Sequence, residues 1–171
     1  MILERVWAMP SQWTFTIPPI RRLVKQEMNG GLWIDPYCGN NSPAQIKNDL
    51  NPDNAHAQTH MDACDFLKSL PDDYADGILY DPPYSPRQVK ECYDSIGIEN
   101  WDGRITFWSE VMDELERVCK IKGKVISFGW SSNRLGMSRG FKMQRVLLVP
   151  HGSRKQDTIV TVETKVRQRL F

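Results

Sequence analysis

The sequence predicts an α/β protein: a doubly wound, mostly parallel sheet closed by an antiparallel hairpin at its C-terminal end. Three observations lead there. Short apolar runs alternate with helical or loop crossovers, the pattern of parallel strands buried on both faces. Several of these runs end in an aspartate followed by a turn: Asp35, Asp49, Asp65 and Asp81. Finally, the two last apolar runs, Phe141–Pro150 and Asp157–Thr164, face each other across the basic tip His151–Gln156, as two strands of a hairpin would.

The totals agree with one domain spanning residues 1–171. A chain of 171 residues, 40% hydrophobic and 25% charged, can bury a real core. The net charge of +1 means that any nucleic-acid surface must be a local patch. No apolar run reaches the length of a membrane span, and the first residues lack a signal-peptide core. The four cysteines, Cys38, Cys64, Cys92 and Cys119, contain no Cys-x-x-Cys pair. A zinc site or disulfide framework is not expected, and reduced thiols fit a cytoplasmic protein without a bound metal.

Taken in order, Met1–Gln12 has no clean period and reads as an arm. Trp13–Pro19 is extended and leads into a helix, with Pro19 in its first turn and Ile20, Leu23, Val24 and Met28 at helical spacing. Asn29-Gly30-Gly31 stops it. Leu32–Ile34 is the first central strand, ending in Asp35-Pro36-Tyr37-Cys38-Gly39-Asn40-Asn41. A strand, an acid and a Gly/Asn-rich turn form the layout of a nucleotide-type site, and equally that of a plain turn. Ala44–Leu50 is expected as a second strand; the acid at its end, Asp49, sits where such folds bond ribose hydroxyls. Asn54–His60 is polar. Met61–Leu67 reads as a short third strand and turn, with Asp65 beside Phe66 either as an acceptor and apolar lid for an adenine ring or as a helix N-cap.

Gly77–Tyr80 is a buried strand stopped by Asp81-Pro82-Pro83-Tyr84-Ser85. Proline has no N–H for a sheet ladder and fixes its own φ. The turn is therefore stiff and presents a carboxylate, unconsumed carbonyls and a ring, a combination suited to a flat group bearing an amine. Pro86–Gly103 lacks a strong period and reads as a surface loop with some helix, or a lid. Arg104–Ile121 is the clearest helix, with Trp108, Val111, Met112, Leu115 and Val118 on one face. Val125–Trp130 is the next buried strand.

Set in order, these motifs resemble those of the S-adenosylmethionine-dependent methyltransferases that modify the N6 amino group of adenine in DNA. The resemblance runs from about Trp13 to Glu163. Its most specific element is Asp81-Pro82-Pro83-Tyr84; Phe15-Thr16-Ile17-Pro18, the loop from Asp35 through Tyr37 to Gly39, Asp49-Leu50 and Asp65-Phe66 resemble the cofactor-binding segments. Asn41 departs from the family pattern where a second glycine is usual. A Rossmann-like sheet, S-adenosylmethionine as cofactor and DNA as partner (or RNA) are what the resemblance implies, in a prokaryotic or phage-encoded restriction-modification setting.

The implied roles are specific. Phe15, Thr16, Ile17, Asp35, Tyr37, Gly39, Asp49, Leu50, Asp65 and Phe66 would hold the cofactor. Asp81 and the Pro82 carbonyl, kept rigid by Pro83, would accept the amino hydrogens of a flipped base, and Tyr84 would stack on it. Arg87, Lys90, Arg134, Arg139, Arg154 and Lys155 are the candidates for phosphate contacts. A target-recognition region of the usual size is not evident, so specificity is expected from the segments Pro86–Gly103 and His151–Gln156 or from a separate partner, or is slight; a homodimer is compatible with the small size. The same loop chemistry also fits cytosine N4, an RNA adenine or a protein amide, and the fold alone would fit a non-catalytic DNA-binding subunit.

Overall fold

A computed structural model of the chain describes residues 1–97, 107–131, 135–152 and 156–168. Its centre is a seven-stranded sheet: β1 (Ile2–Arg5), β2 (Trp33–Asp35), β3 (Ile46–Lys47), β4 (Ala75–Tyr80), β5 (Cys119–Gly129), β6 (Phe141–Val149) and β7 (Thr158–Lys165). The helices are α1 (Pro18–Glu27), α2 (Ala63–Lys68), α3 (Pro86–Ser95) and α4 (Phe107–Val118). The strands lie in the order β1-β6-β7-β5-β4-β2-β3. All pairings are parallel except those of β7, which runs antiparallel between β5 and β6. This is a Rossmann-like sheet with the expected C-terminal hairpin. No helix among the described residues is long and apolar enough to cross a membrane.

The central strands are buried on both faces, successive side chains entering opposite cores. In β4, Ile78 and Tyr80 point into one core with α2 and α4, while Leu79 points into a second core with Ile20, Leu23 and Val24 of α1. Strand β2 divides in the same way, Ile34 to the first core and Trp33 to the second. The direction of strand addition reverses between β2 and β4: the next strand after β2 adds on one side and the next after β4 on the other. Their carboxyl ends therefore open a crevice at a topological switch point.

Several elements differ from expectation. Residues 1–12 are not an arm: β1 pairs in parallel with β6, from Ile2 opposite Arg145 to Arg5 opposite Leu148. The second strand shrinks to the two residues of β3, and Asn54–His60 forms turns. Met61–Leu67 is not a strand but contains the start of α2. Asp62 caps it by accepting the Cys64 N–H at 2.8 Å, and Ala63, Cys64, Phe66 and Leu67 are all buried, a spacing that suits a helix face and not a two-residue period. Pro86–Ser95 is a regular helix, with Ser85 as N-cap and Pro86 in the first turn. The helix of Phe107–Val118 gives way at Cys119 to β5, because Cys119 pairs with Ala75 across the sheet edge.

The β2–β4 contact depends on one missing side chain. Gly77 lies opposite Trp33, and a Cβ there would fall far inside contact distance of the buried indole, whose Nε1–H donates to the Gly30 carbonyl at 3.1 Å. Gly77→Ala is expected to lower stability by about 1–3 kcal/mol through overpacking. Urea denaturation should show a lower midpoint at unchanged m-value.

Candidate functional site

Strand β4 delivers Asp81-Pro82-Pro83-Tyr84 to the crevice, and α3 holds the turn from the other side. Ser85 Oγ accepts the Gln88 N–H at 3.3 Å, and Gln88 Oε1 accepts the Tyr84 N–H at 2.6 Å. This is a variant of the capping-box arrangement, and it fixes the turn at both ends. The Tyr84 hydroxyl donates to Asp81 Oδ1, and the Thr14 hydroxyl is a second donor to the same carboxylate. Burial nevertheless pushes the Asp81 carboxyl above its ordinary value, with those two donors opposing it.

Asp35, at the end of neighbouring β2, is completely buried. It accepts the Tyr37 N–H at 2.9 Å and the Ser42 hydroxyl at 2.5 Å. Desolvation outweighs these bonds and the negative charges of Asp81 and Asp49 add to it, so the carboxyl is raised from 3.8 to about 7. Asp49 follows β3: Oδ2 accepts the Gly39 N–H at 3.0 Å and the Asn54 amide at 2.8 Å, and Oδ1 accepts the Asn51 N–H at 2.9 Å.

The loop 36–45 contains no helix. Two buried asparagines do the work of one. Asn48 donates to the carbonyls of Pro36 (3.1 Å) and Met61 (2.9 Å) and accepts from Thr59 and Met61. Asn54 donates to the Gly39 carbonyl at 2.9 Å. The loop is thus tied to both neighbouring connections by side-chain amides.

Together these elements enclose a cleft of about 540 Å³, within the usual range for a small-molecule site. Asp49, Asp62, Asp81 and Glu91 line it, and no lysine or arginine among the described residues does. Across the cleft, the Tyr93 hydroxyl of α3 donates to Asp62 Oδ2. The Tyr37 ring packs 6.0 Å from that of Tyr80, and its buried hydroxyl has no partner among the described residues. Such a lining repels phosphates, and the loop after β2 offers no helix N-terminus to bind them. It attracts a cation or an amine.

The expected site residues separate into three groups. Asp81, Pro82, Pro83, Tyr84, Tyr37, Gly39, Asp49 and Leu50 line the cleft, with Asp35 beneath it. Phe15 and Ile17 lie in the α1-side core, Phe15 edge-on to Phe128 at 5.3 Å, while Thr16 is exposed and donates to the Trp13 carbonyl; Thr14 is the residue of that segment that reaches the cleft. Asp65 is exposed and Phe66 belongs to the opposite core, so Asp62 and Ala63 take the place at the cleft expected for that pair. An N-cap preference for Asp62 was the available signal; two aspartates three residues apart made the choice ambiguous.

Among the basic candidates, Arg87 pairs with Glu91 at 2.7 Å and Lys90 with Asp94 at 3.4 Å along α3. Arg139 bonds Asp113 at 2.8 Å just before β6 begins, at the amino end of the sheet and away from the cleft. Arg134, Arg154 and Lys155 lie outside the described residues. Trp130, at the end of β5, was read only as the end of a buried strand; it is 41% exposed and meets the Tyr84 ring edge-on at 5.2 Å.

No protein-family model matches the chain, and no curated protein matches it in sequence. Solved structures do share the fold. yhhF of Escherichia coli, assigned provisionally to the methyltransferases, is 10% identical with a TM-score of 0.57, over 93% of this chain and 92% of its own. TrmN of Thermus thermophilus is 15% identical with a TM-score of 0.58, over 88% of this chain and 49% of its own. The 1,6-didemethyltoxoflavin-N1-methyltransferase of Burkholderia thailandensis, solved with its substrate and S-adenosylhomocysteine, is 10% identical with a TM-score of 0.59, over 88% and 77%.

Burial of Asp35 has a pH consequence. Its carboxyl holds a proton more tightly in the folded than in the unfolded chain, so stability is highest below about pH 4 in this respect. It falls as pH rises toward about 7, by an amount on the order of 4 kcal/mol. Asp35→Asn should remove that decline and be more stable than the wild type at pH 8. Urea unfolding at pH 5 and pH 8 checks this, and equal slopes for the two proteins would contradict it.

Proposed function

We propose that this chain is an S-adenosylmethionine-dependent methyltransferase acting on an exocyclic amino group, the N6 of adenine in DNA. One observation carries the reading: a phosphate-repelling, acid-lined cleft at the switch point, with Asp81-Pro82-Pro83-Tyr84 forming its wall. The cofactor is a nucleoside without phosphates that bears a sulfonium, an ammonium and ribose hydroxyls. The residues present fit those groups. Asp49 follows β3, where its Oδ1, bonded only by the Asn51 N–H, keeps an acceptor site for a ribose hydroxyl, and the carboxylates of Asp62 and Asp81 favour the positive charges. The orphaned Tyr37 hydroxyl is one more group able to bond a ligand. When bound, the cofactor supplies a methyl group that is already a strong electrophile.

What the chain must contribute is the nucleophile. An aromatic amine delocalises its lone pair into the ring. Asp81 would accept one amino hydrogen and the Pro82 carbonyl the other, drawing the nitrogen toward tetrahedral geometry and freeing the pair. Each carboxylate oxygen has two acceptor sites, so Asp81 can take the amine while Thr14 and Tyr84 still donate to it. Those hydroxyls hold the carboxylate at a fixed angle, which is positional catalysis. A raised Asp81 also makes a better acceptor for the proton released afterwards. Tyr84 and Trp130 would flank the target ring, which a duplex must present flipped out.

A second reading keeps this chemistry and changes what carries the amine. It is favoured by the basic residues: Arg87 and Lys90 are matched by acids on their own helix and Arg139 faces away. RNA, or a nitrogen heterocycle of the kind the Burkholderia thailandensis enzyme binds, asks less of such a surface than duplex DNA does.

Tritiated methyl transfer to DNA, RNA and protein substrates distinguishes the carriers. Asp81→Ala should bind S-adenosylmethionine within a few-fold of the wild type by calorimetry while transfer falls by about 100-fold or more; substantial residual transfer would sink the role of Asp81. Trp130→Ala should weaken the target by about 1–3 kcal/mol in KM, with cofactor affinity unchanged.

A further inference from the structure

Among the described residues, nothing pairs with the outer edge of β1. Val6 N–H donates to the Leu148 carbonyl at 2.9 Å and Ala8 N–H to that of Pro150 at 3.2 Å, so the pairing with β6 continues past Arg5. In a parallel pair alternate residues point their backbone groups at the partner. Val6 and Ala8 face inward, and with them Ile2 and Glu4. Leu3, Arg5 and Trp7 therefore aim their N–H and carbonyl groups outward.

The side chains along this edge are apolar and exposed: Leu3 65%, Trp7 60% and Met9 68% on one face, Ile2 58% and Val6 39% on the other. The first face continues inward through Val146 and Leu148, the partners of Leu3 and Arg5, both only half-buried. Proteins usually blunt such an edge with lysines, prolines or a bulge. Here the first proline is Pro10, and no lysine occurs before Lys25. A contiguous apolar surface of this kind marks an interaction site.

We propose that this edge joins two copies of the chain through an antiparallel β1–β1 ladder about a two-fold axis at Val6. Backbone polarity and charge favour this register. An antiparallel ladder sets outward-facing residues opposite one another. Centred on Val6, it places Arg5 against the partner copy's Trp7, a cation over an aromatic face, and Leu3 against its Met9. Centring on Glu4 or on Arg5 would oppose two like charges at the axis. The edge is thus complementary to itself, which is the requirement for an isologous contact. The cleft lies toward the other end of the sheet, at β2 and β4, so both copies keep it open.

The test is the mass of the intact chain in solution. Light scattering of the 19.8 kDa chain at tens of micromolar should give about twice that mass. Arg5→Pro removes an outward N–H while leaving the inward donors of Val6 and Ala8 in place; it should be monomeric with an unchanged circular dichroism spectrum. Val6→Lys and Val6→Glu should each be monomeric alone, by like-charge repulsion at the axis, and should form a mixed dimer when combined, read by native mass spectrometry. That rescue also shows that both variants fold. A monomeric wild type would overturn the proposal, as would a wild-type dimer that none of these substitutions disturbs or a mixture that fails to associate.

Discussion

The site depends on bringing two desolvated carboxylates, Asp35 and Asp81, to the ends of adjacent strands. Parallel pairing of β2 with β4 makes this unavoidable, because Trp33 is in register with Gly77 and Ile34 with Ile78. Burial raises both, and repulsion from Asp81 adds to the rise at Asp35. The fold tolerates this by surrounding them with fixed donors: Ser42 and the Tyr37 N–H at Asp35, Thr14 and Tyr84 at Asp81. A cation entering the cleft would relieve the same repulsion.

The connection after β2 is economical. A doubly wound sheet commonly follows its first strand with a helix whose N-terminus faces the ligand. Here the chain returns directly to β3, and Asn48, Asn54 and Asp49 bind the loop into place. Losing the helix removes the positive dipole end that would favour phosphates. What remains selects by carboxylates alone, consistent with a nucleoside cofactor lacking phosphates.

Much of this was legible in the sequence because it rested on local patterns. The apolar stops at Asp35 and Asp81, the proline at the start of α1 and the alternating hairpin strands each follow from short-range chemistry. The errors came where two patterns overlapped or where partners were distant. Asp62 and Asp65 both precede apolar residues, and only the fold shows that Asp62 caps α2 while Phe66 turns into the core. Ile2–Arg5 has no period because one side of it is an open edge, and its pairing with β6 spans almost the whole chain. Trp130 gave no signal, since its role depends on meeting Tyr84 from another strand. Arg139 is paired with Asp113 of α4, a partner 26 residues away that no local pattern reveals.

A cleft lined by carboxylates should take a cationic nucleoside cofactor without phosphates and exclude the phosphorylated kind. Titration calorimetry of the wild-type chain with S-adenosylmethionine and, separately, with a nicotinamide dinucleotide tests it most directly. Saturable one-site binding of S-adenosylmethionine and no binding of the dinucleotide are expected. Binding of the dinucleotide with S-adenosylmethionine silent would contradict it.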